Sequence, residues 1–210
     1  MSAVVVSPHL DDAVLSCWSL LGEPTAASTG TVTVVSVCAG VPRAGMLGAW
    51  DVRGGAACSR ERMLERRAEE QAALSTTAAR LVLLDLLDAQ YEASGEDVAG
   101  ALGPELEAAR WVFVPAGIGA HPDHLRVRAA VLALRPDAIL YADIPYALQD
   151  GWEPPLPGYE PEERLLDRAS FAAKLEALAC YATQIPPLEE EFGPLLTGSA
   201  LARELLFHPV

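Results

Sequence analysis

A strand followed by a helix is encoded in Ala3-Val4-Val5-Val6 and the next eight residues, Ser7-Pro8-His9-Leu10-Asp11-Asp12-Ala13-Val14. The first four residues form an apolar, β-branched run, as in a strand that is buried in a parallel sheet. Apolar residues at helical spacing then run from residue 13 to residue 21, which predicts a helix. Because ligands of open α/β sheets bind at the carboxyl ends of the strands, we expect a functional site between these two elements.

The turn between the two elements carries one histidine and two aspartates. His9 and Asp12 are separated by two residues, so an imidazole nitrogen and a carboxylate oxygen can converge on one metal ion. Asp11 would then be free to accept a proton. The alternative is that one aspartate caps the first turn of the helix and the other is solvated.

Composition narrows the class of protein. The 210 residues are 51% hydrophobic and 21% charged, which predicts one globular α/β domain over residues 1–210. The net charge of −14 argues against nucleic acid and anionic membranes as partners. The apolar runs are shorter than the roughly 20 residues of a membrane span, and the first residues do not resemble a secretory signal. We therefore expect a soluble cytoplasmic protein, and its oligomeric state stays open.

The rest of the chain alternates between apolar strands and helical segments. This alternation predicts a Rossmann-like, doubly wound and mostly parallel sheet of about five strands with helices on both faces. The predicted later strands are residues 31–38, 81–84, 111–115 and 138–141. The predicted later helices are residues 59–80, 97–110, 124–134 and 164–181. Residues 39–57 form a long connection of the kind that often marks an active site, and residues 150–161 are predicted as a surface loop.

A second histidine-rich turn, His121-Pro122-Asp123-His124, follows the fourth predicted strand. If strands one and four are neighbours, this turn faces the first one across a crevice. His9 and Asp12 would then meet either His121 or His124. Two imidazoles and one carboxylate are typical ligands of catalytic zinc, with a fourth position left for water. A lone histidine is more often structural, but three of the four histidines lie in these two turns, which favours a metal site.

The two turns together resemble the signature motifs of the PIG-L/LmbE-like N-deacetylases. That family contains zinc-dependent enzymes that remove acetyl groups from N-acetylglucosamine-containing substrates, and relatives that cut other amides. Further matching segments are Arg66-Arg67-Ala68-Glu69-Glu70, Asp88-Ala89-Gln90-Tyr91, Tyr141-Ala142-Asp143-Ile144-Pro145-Tyr146 and Tyr181-Ala182-Thr183-Gln184. The resemblance therefore extends over most of the chain.

The resemblance implies roles for individual residues. One zinc ion would be held by three ligands, His9, Asp12 and His124. Asp11 would be the general base, and a protonated His121 would stabilise the oxyanion and serve the departing nitrogen. Asp123 would orient His121. Zinc, activated water and a proton donor are the components that amide hydrolysis requires.

Three positions depart from the commonest family pattern: Leu10 replaces Pro, Ala13 replaces Glu, and Gly119 replaces a Tyr that some relatives carry. Tyr146 or Tyr141 is the candidate to compensate for that tyrosine. Substrate contacts are expected from Arg66, Asp88 and Tyr146, and also from Asp143. Arg66 has an equally good interpretation as a solvated helix charge. Trp50 and Trp152 lie on loops that suit a stacking wall for a sugar ring.

The expected activity is removal of the acetyl group from an N-acetylated amino sugar or its conjugate, with release of acetate and a free amine. One alternative is an amidase that cleaves a larger amide, such as a thiol conjugate. Another is an inactive family member that acts as a binding protein. A phosphorelay receiver domain needs a lysine after strand five, whereas the only lysine, Lys174, lies in the last long helix. A nucleotide-binding module would need a Gly-rich turn in place of residues 8–12.

Overall fold

One sheet organises the structure, a computed structural model that describes residues 2–22, 30–91, 97–149, 152, 156–196 and 198–210. The described strands are β1 (Ala3–Ser7), β2 (Val32–Ser36), β3 (Arg80–Leu83), β4 (Trp111–Pro115), β5 (Ile139–Tyr141), β6 (Tyr159–Leu165) and β7 (Arg203–Pro209). The described α-helices are α1 (Asp12–Ser16), α2 (Trp18–Leu21), α3 (Ala49–Arg53), α4 (Ser59–Leu74), α5 (Val98–Leu106), α6 (Pro122–Leu134), α7 (Arg168–Leu178) and α8 (Ile185–Phe192). No helix within these ranges is long and apolar enough to cross a membrane.

The strand order is β3-β2-β1-β4-β5-β7-β6, and the first five strands are mutually parallel. Val5 of β1 lies opposite Val34 of β2 on one side and opposite Phe113 of β4 on the other. The order therefore reverses between β1 and β4, where the loops that follow the two strands open a crevice. The prediction that strands one and four are neighbours is confirmed.

Both faces of the sheet are covered by helices, because successive side chains of a strand point to opposite faces. Val5 belongs to an apolar cluster that includes residues of α1, α2, α4 and α7. Val4 and Val6 belong to a second cluster, with residues of α5 and α6. The predicted mostly parallel α/β sheet with helices on both faces is confirmed, while its assignment as Rossmann-like stays a prediction.

The predicted count of about five strands is wrong, because β6 and β7 add an antiparallel pair beside β5. β6 forms the edge of the sheet, and its residues are mostly partly or fully exposed. Edge strands carry charges and proline, so β6 lacks the apolar run by which a buried strand is recognised. Its last residues, 164 and 165, were included in a predicted helix. Residues 150, 151 and 153–155 of the predicted surface loop lie outside the described residues.

Several helix boundaries also differ from the prediction. The first helix is broken at Cys17 into α1 and α2. The long helix that was expected to reach residue 80 ends at Leu74, and α7 begins only at Arg168. Asp167 fixes the start of α7, because its side chain accepts a hydrogen bond from the Ser170 N–H at 2.7 Å. The predicted active-site loop 39–57 contains the short helix α3.

A buried ion pair links α7 to β7, and its glutamate also binds the start of α2. Lys174 donates from Nζ to Glu204 at 2.8 Å, and both residues are at most 2% exposed. Glu204 also accepts hydrogen bonds from the backbone N–H groups of Trp18 and Ser19, at 2.8 and 2.9 Å. The only lysine of the chain therefore has a structural partner, which agrees with its unsuitability as a phosphate ligand.

Glu204→Ala should lower the free energy of unfolding by about 3–5 kcal/mol, because it leaves the buried ammonium of Lys174 without its counter-charge. The neighbouring Arg203 offers a matched control, since it pairs with Glu163 at an exposed position. Arg203→Ala should cost about 1 kcal/mol or less. Urea denaturation at neutral pH measures both values, and equal losses would contradict this account.

Candidate active site

The loop after β1 is held by its own hydrogen bonds. The Ser7 hydroxyl donates to the His9 carbonyl at 2.7 Å and accepts from the Ala13 N–H at 3.0 Å. The His9 N–H donates to Asp12 Oδ2 at 2.7 Å. Neither aspartate side chain caps α1, and both are buried, so the alternative of a capping and a solvated aspartate does not hold. The loop instead turns His9 and Asp12 toward each other.

The second turn forms the start of α6. His121 is the N-cap residue, and its Nδ1 accepts a hydrogen bond from the Asp123 N–H at 3.2 Å. Pro122 follows at the first helical position, where a missing N–H group does no harm. His124 therefore lies one turn into the helix, next to the loop after β1.

His9, Asp12 and His124 form a compact triangle. Asp12 Oδ2 lies 3.4 Å from His9 Nδ1 and 3.3 Å from His124 Nε2, and the two nitrogens are 3.3 Å apart. In a tetrahedral zinc site with bonds of about 2.0–2.1 Å, neighbouring ligand atoms lie roughly 3.3–3.4 Å apart. The donor atoms and their spacing therefore fit a zinc ion.

Two other groups of side chains also bring possible metal-binding atoms together, but at larger separations. His9, His121 and His124 have ring nitrogens within 4.8 Å of one another, and so do the donor atoms of His9, Cys38 and Asp123. Burial raises the pKa of the Cys38 thiol to about 12, which disfavours the thiolate that a metal requires. The tighter spacing favours the triangle with Asp12 over the set of three histidines.

A buried carboxylate lies behind each of the two histidines of the triangle. Asp123 Oδ2 is 3.1 Å from His9 Nε2, and Asp143 Oδ1 is 2.6 Å from His124 Nδ1. Asp123 was expected to orient His121, but its nearest carboxylate oxygen is 3.9 Å from His121 Nδ1. The sequence separation of two residues is misleading here, because the pairing of β1 with β4 brings His9 closer to this carboxylate.

Asp11 lies beside the triangle and outside it. The residue is 8% exposed and lines the cavity above the histidines. Burial, and next the negative charge of Asp12, raise the pKa of the Asp11 carboxyl to about 7. A carboxylate of that basicity can take a proton from water and return it near neutral pH.

Arg66 and Asp88 have definite partners in the cavity wall. Arg66 is 4% exposed and pairs with Asp51 at 3.0 Å, so it is not a solvated helix charge. Tyr91 donates its hydroxyl hydrogen to the same Asp51, at 2.6 Å. Both oxygens of Asp88 accept hydrogen bonds from Gln90. These contacts orient the two predicted substrate-binding groups and leave them at the cavity surface.

The cavity has a volume of about 470 Å³ and is open to solvent. Most predicted site residues line it, namely His9, Asp11, Asp12, Arg66, Asp88, His121, His124 and Tyr146. Asp123 and Asp143 do not line it, and of the two tryptophans expected as a stacking wall only Trp50 does, because Trp152 packs edge to face on Phe207. The outer wall of the cavity consists of Trp50 and Arg53 from α3 and of Leu188, Glu191 and Phe192 from α8. Arg53 joins the two helices through ion pairs with Glu190 and Glu191.

The family model of the GlcNAc-PI de-N-acetylases, PIG-L, matches residues 4–135, which is more than half of the chain. The chain belongs to the PIG-L family. The predicted resemblance and the predicted enzyme class, a deacetylase, are thereby confirmed. No curated protein matches the chain.

Solved structures agree with the PIG-L assignment. Dbv21, the A40926 pseudoaglycone deacetylase, is 28% identical, with a TM-score of 0.78 over 99% of this chain and 96% of that one. A triple mutant of Orf2, the deacetylase of the teicoplanin biosynthetic pathway, is 26% identical and has a TM-score of 0.81. The match covers 100% of this chain and 98% of that one. GalB, a 4-carboxy-2-hydroxymuconate hydratase from Pseudomonas putida, is 19% identical, with a TM-score of 0.66 over 100% and 95%, which shows a shared fold alone. Orf2 has also been solved in a zinc-inhibited form.

Gly119 departs from the family pattern for a reason that the structure makes clear. A Cβ atom at Gly119 would lie 2.4–2.8 Å from the ring and Cβ of Tyr146, and φ at this glycine is +81°. Tyr146 thus occupies the space above position 119, with its ring centre 5.8 Å from that of His124. Tyr141 is fully buried and donates its hydroxyl hydrogen to the Val6 carbonyl at 2.9 Å. Of the two candidate tyrosines, Tyr146 is the one at the site of this PIG-L protein.

His121 differs from its expected protonated state. Burial, followed by the neighbouring rings of His9 and His124, lowers the pKa of His121 to about 4. The ring is therefore neutral at neutral pH. Because Nδ1 accepts the Asp123 N–H, the proton of the neutral ring is on Nε2. His121 can donate a hydrogen bond to an oxygen, but it has no spare proton for a leaving amine.

The sequence of this PIG-L protein predicted only part of the outer wall of the cavity. Trp50 was expected there, whereas α8 was seen only as an acidic tail. Its apolar residues, Ile185, Leu188 and Phe192, recur at helical spacing and are the signal that could have revealed it. The Phe192 ring contacts the Tyr146 ring edge to face, with centres 5.3 Å apart.

Glu70 is a buried carboxyl close to the site. Ser36 donates its hydroxyl hydrogen to Glu70 at 3.0 Å, and Tyr181 donates to the other oxygen. Burial raises the pKa of Glu70 to about 8, and the negative charges of Asp11 and Asp12 add to the increase. The two hydrogen bonds act in the opposite direction but do not outweigh burial. The folded protein therefore keeps Glu70 protonated at pH values where the unfolded chain has ionised it.

Glu70→Gln should remove a pH dependence of stability. Since the pKa is higher in the folded state, wild-type stability falls as pH rises from about 4.5 to about 8, by about 1.4 kcal/mol per pH unit at most. The variant should therefore gain stability relative to wild type over this range, and the difference should level off above pH 8. Chemical denaturation as a function of pH measures this difference. Ser36→Ala is the control, because it keeps the titrating carboxyl and should keep the pH dependence. A stability difference between Glu70→Gln and wild type that does not change with pH would contradict the assignment.

Proposed function

We propose that this protein is a zinc-dependent deacetylase that hydrolyses the acetamide of an N-acetylated amino sugar or its conjugate, releasing acetate and a free amine. The observation that carries the proposal is the triangle of His9, Asp12 and His124, whose donor atoms are 3.3–3.4 Å apart. Asp11 lies beside this triangle in an open cavity. A metal site with an adjacent carboxylate base suits hydrolysis of an unreactive amide.

The three residues of the triangle would hold the zinc ion. Zinc at this place supplies a Lewis acid, which polarises the amide carbonyl and makes water more acidic. Asp123 and Asp143 do not line the cavity, so they act through His9 and His124 and not on the substrate.

Asp11 and His121 would carry out the remaining chemistry. Asp11 accepts a proton from the attacking water, whose oxygen adds to the carbonyl carbon. His121 donates a hydrogen bond from Nε2 to the carbonyl oxygen as negative charge develops there. When the carbon–nitrogen bond breaks, Asp11 returns its proton to the nitrogen, which gives the free amine and acetic acid. The acid then loses its proton to the solvent and leaves as acetate. A neutral His121 supports Asp11 as the residue that carries both proton transfers.

The cavity suits a sugar that carries a bulky apolar group. Arg66, Asp88 and Tyr146 offer hydrogen bonds close to the triangle, while Trp50 and Phe192 provide an aromatic surface further out. The volume of about 470 Å³ lies in the range of pockets for drug-sized ligands. Dbv21 is a deacetylase of the A40926 pseudoaglycone and Orf2 belongs to the teicoplanin biosynthetic pathway, which supports a conjugate over a free monosaccharide.

An amidase for a larger acyl group is the second candidate. The apolar wall formed by Leu188 and Phe192 would also accommodate an acyl chain longer than acetyl. The acid released from N-acetyl and longer N-acyl glucosamine conjugates separates the two functions. Release of acetate with little cleavage of longer chains supports the deacetylase.

Purified protein should contain about one zinc ion per chain, and His124→Ala should lose most of it, because a ligand of the triangle is removed. Metal analysis after dialysis measures the content. His208→Ala is the matched control, since His208 lies on β7 and pairs with Glu162 instead of a site residue. Undiminished zinc in His124→Ala would overturn the assignment of this ligand.

Asp11→Asn should keep zinc and lose activity, because an amide of nearly the same size cannot accept the proton of water. The loss should appear mainly in kcat and reach roughly 100-fold or more. Asp12→Ala should instead lose zinc. Acetate release from N-acetylglucosamine conjugates, with one equivalent of zinc per chain, measures the activity; excess is avoided because Orf2 has a zinc-inhibited form. If Asp11→Asn turns over at the wild-type rate, another residue is the base.

A further inference from the structure

The arginines of the cavity wall are each paired with a carboxylate. Among the described residues that line the cavity, Arg53 and Arg66 are the arginines, and no lysine lines it. Arg53 pairs with Glu191 at the outer wall, and Arg66 pairs with Asp51 closer to the triangle. The positive charge of each guanidinium group is therefore offset within the protein itself.

The pair of Arg66 and Asp51 is the more buried of the two. Asp51 is fully buried and does not line the cavity, whereas Arg66 is 4% exposed and does line it. Asp51 Oδ1 lies 3.0 Å from Arg66 Nη2, and Tyr91 donates to the other oxygen of Asp51 at 2.6 Å. Because buried pairs are little screened by salt or water, Asp51 should cancel most of the charge that Arg66 would otherwise present to a ligand.

Arg66 still has hydrogen-bond donors to offer. A guanidinium group carries five N–H donors. Within the described part of the chain, Asp51 is the only ion-pair or hydrogen-bond partner of Arg66, and its Nε has no hydrogen bond. Arg66 can therefore donate to an oxygen of the substrate while its charge is already offset.

The carboxylate on the same wall has no cationic partner. Asp88 lines the cavity and accepts hydrogen bonds from the backbone N–H and the side-chain Nε2 of Gln90, at 2.9 and 2.8 Å. Both donors are uncharged, so they leave the negative charge of Asp88 in place. Asp11 and Asp12 lie at the metal position, where they offset the charge of a zinc ion. The wall around the triangle thus offers donors and acceptors without an excess of positive charge.

We propose that Asp51 is a specificity-determining residue: it offsets the charge of Arg66, so that the cavity accepts an uncharged amino sugar and disfavours one that carries a sulfate, phosphate or carboxylate group. The proposal rests on the proposed function for the reaction. Asp51 acts through Arg66, since it does not reach the cavity itself. Arg66 then serves as a donor to a hydroxyl or ether oxygen and not as an anion-binding group.

The test compares two sugars that differ by one charged group, 4-nitrophenyl N-acetyl-β-D-glucosaminide and its 6-O-sulfate. Wild-type kcat/KM for acetate release should be about 10-fold or more higher with the uncharged sugar. In Asp51→Asn the charge of Arg66 is no longer offset, so this preference should fall by about 10-fold. A purely structural defect lowers both rates and cancels in the ratio. An unchanged ratio in Asp51→Asn, or a wild-type preference for the sulfated sugar, would overturn the proposal.

Glu65→Gln is the matched control. Glu65 pairs at 3.1 Å with Arg62, a buried arginine one turn before Arg66 on α4, and neither member of this pair lines the cavity. The substitution again replaces a carboxylate beside a buried arginine by an amide. Because Glu65 is exposed to solvent and to salt, the preference should stay within about twofold of wild type. An equal fall in Glu65→Gln and Asp51→Asn would contradict a role of Arg66.

Asp51→Asn leaves a buried arginine without its counter-charge, which lowers stability, so thermal melting is recorded for each variant. If this variant does not fold, Arg66→Gln is compared with the double variant Asp51→Asn/Arg66→Gln, in which neither buried charge remains. The single variant retains the negative charge of Asp51 and should prefer the uncharged sugar about 10-fold more strongly than the double variant. Equal preferences of these two variants would overturn the proposal.

A titration with inorganic sulfate is independent of turnover. In zinc-free protein with ¹⁵N-labelled arginine, the guanidinium signal that is lost in Arg66→Gln should not respond to sulfate in wild type and should shift in Asp51→Asn. Equal responses of the two proteins would overturn the proposal. Absence of acetate release from both sugars by zinc-loaded wild type would count against the proposed function, whereas the sulfate titration decides the role of Asp51 separately.

Discussion

The parallel pairing of β1 with β4 is the constraint on which the site depends. The two strands are more than one hundred residues apart in sequence, and their register places Val5 opposite Phe113. The pairing sets the turn with His9 against the turn with His124, and it leaves a crevice where the strand order reverses. β5 lies next to β4 and carries Asp143 to the back of His124. The whole cluster of donors is therefore a consequence of strand order.

The sequence predicted those parts of the fold that have strong local signals. β4 was predicted with its observed bounds, and β1 to within one residue, because buried parallel strands are continuous apolar runs. The three residues of the proposed metal site could be selected from the sequence because they lie in two short motifs. β6 was missed because an edge strand rich in charged residues, here residues 159–165, has no such run. β7 is an inner strand with a short buried run, Leu205-Leu206-Phe207, which the sequence interpretation left within an acidic and then apolar tail.

The supporting contacts of the site could not be predicted from sequence, since they are tertiary. Asp123 is two residues from His121, which suggested that pair, yet its carboxylate faces His9 across the crevice. Asp143 was noted only as a polar group at a strand end, because nothing local connects it with His124 or with the Ile118 N–H. The space that Gly119 leaves open is filled by the Tyr146 ring, a contact that no local sequence pattern indicates.

The two adjacent aspartates show how position alone gives identical groups different chemistry. Although burial acts in the opposite direction, the charge of His124 and hydrogen bonds from His124 and His9 hold the pKa of Asp12 well below its usual range. Asp11, one residue earlier, has its pKa raised to about 7 by burial and by the charge of Asp12. A carboxylate that stays ionised suits a metal, and one that exchanges its proton near neutral pH suits a base. The ionisation of Asp12 thus contributes to the basicity of Asp11, so the proposed ligand and the proposed base are electrostatically coupled.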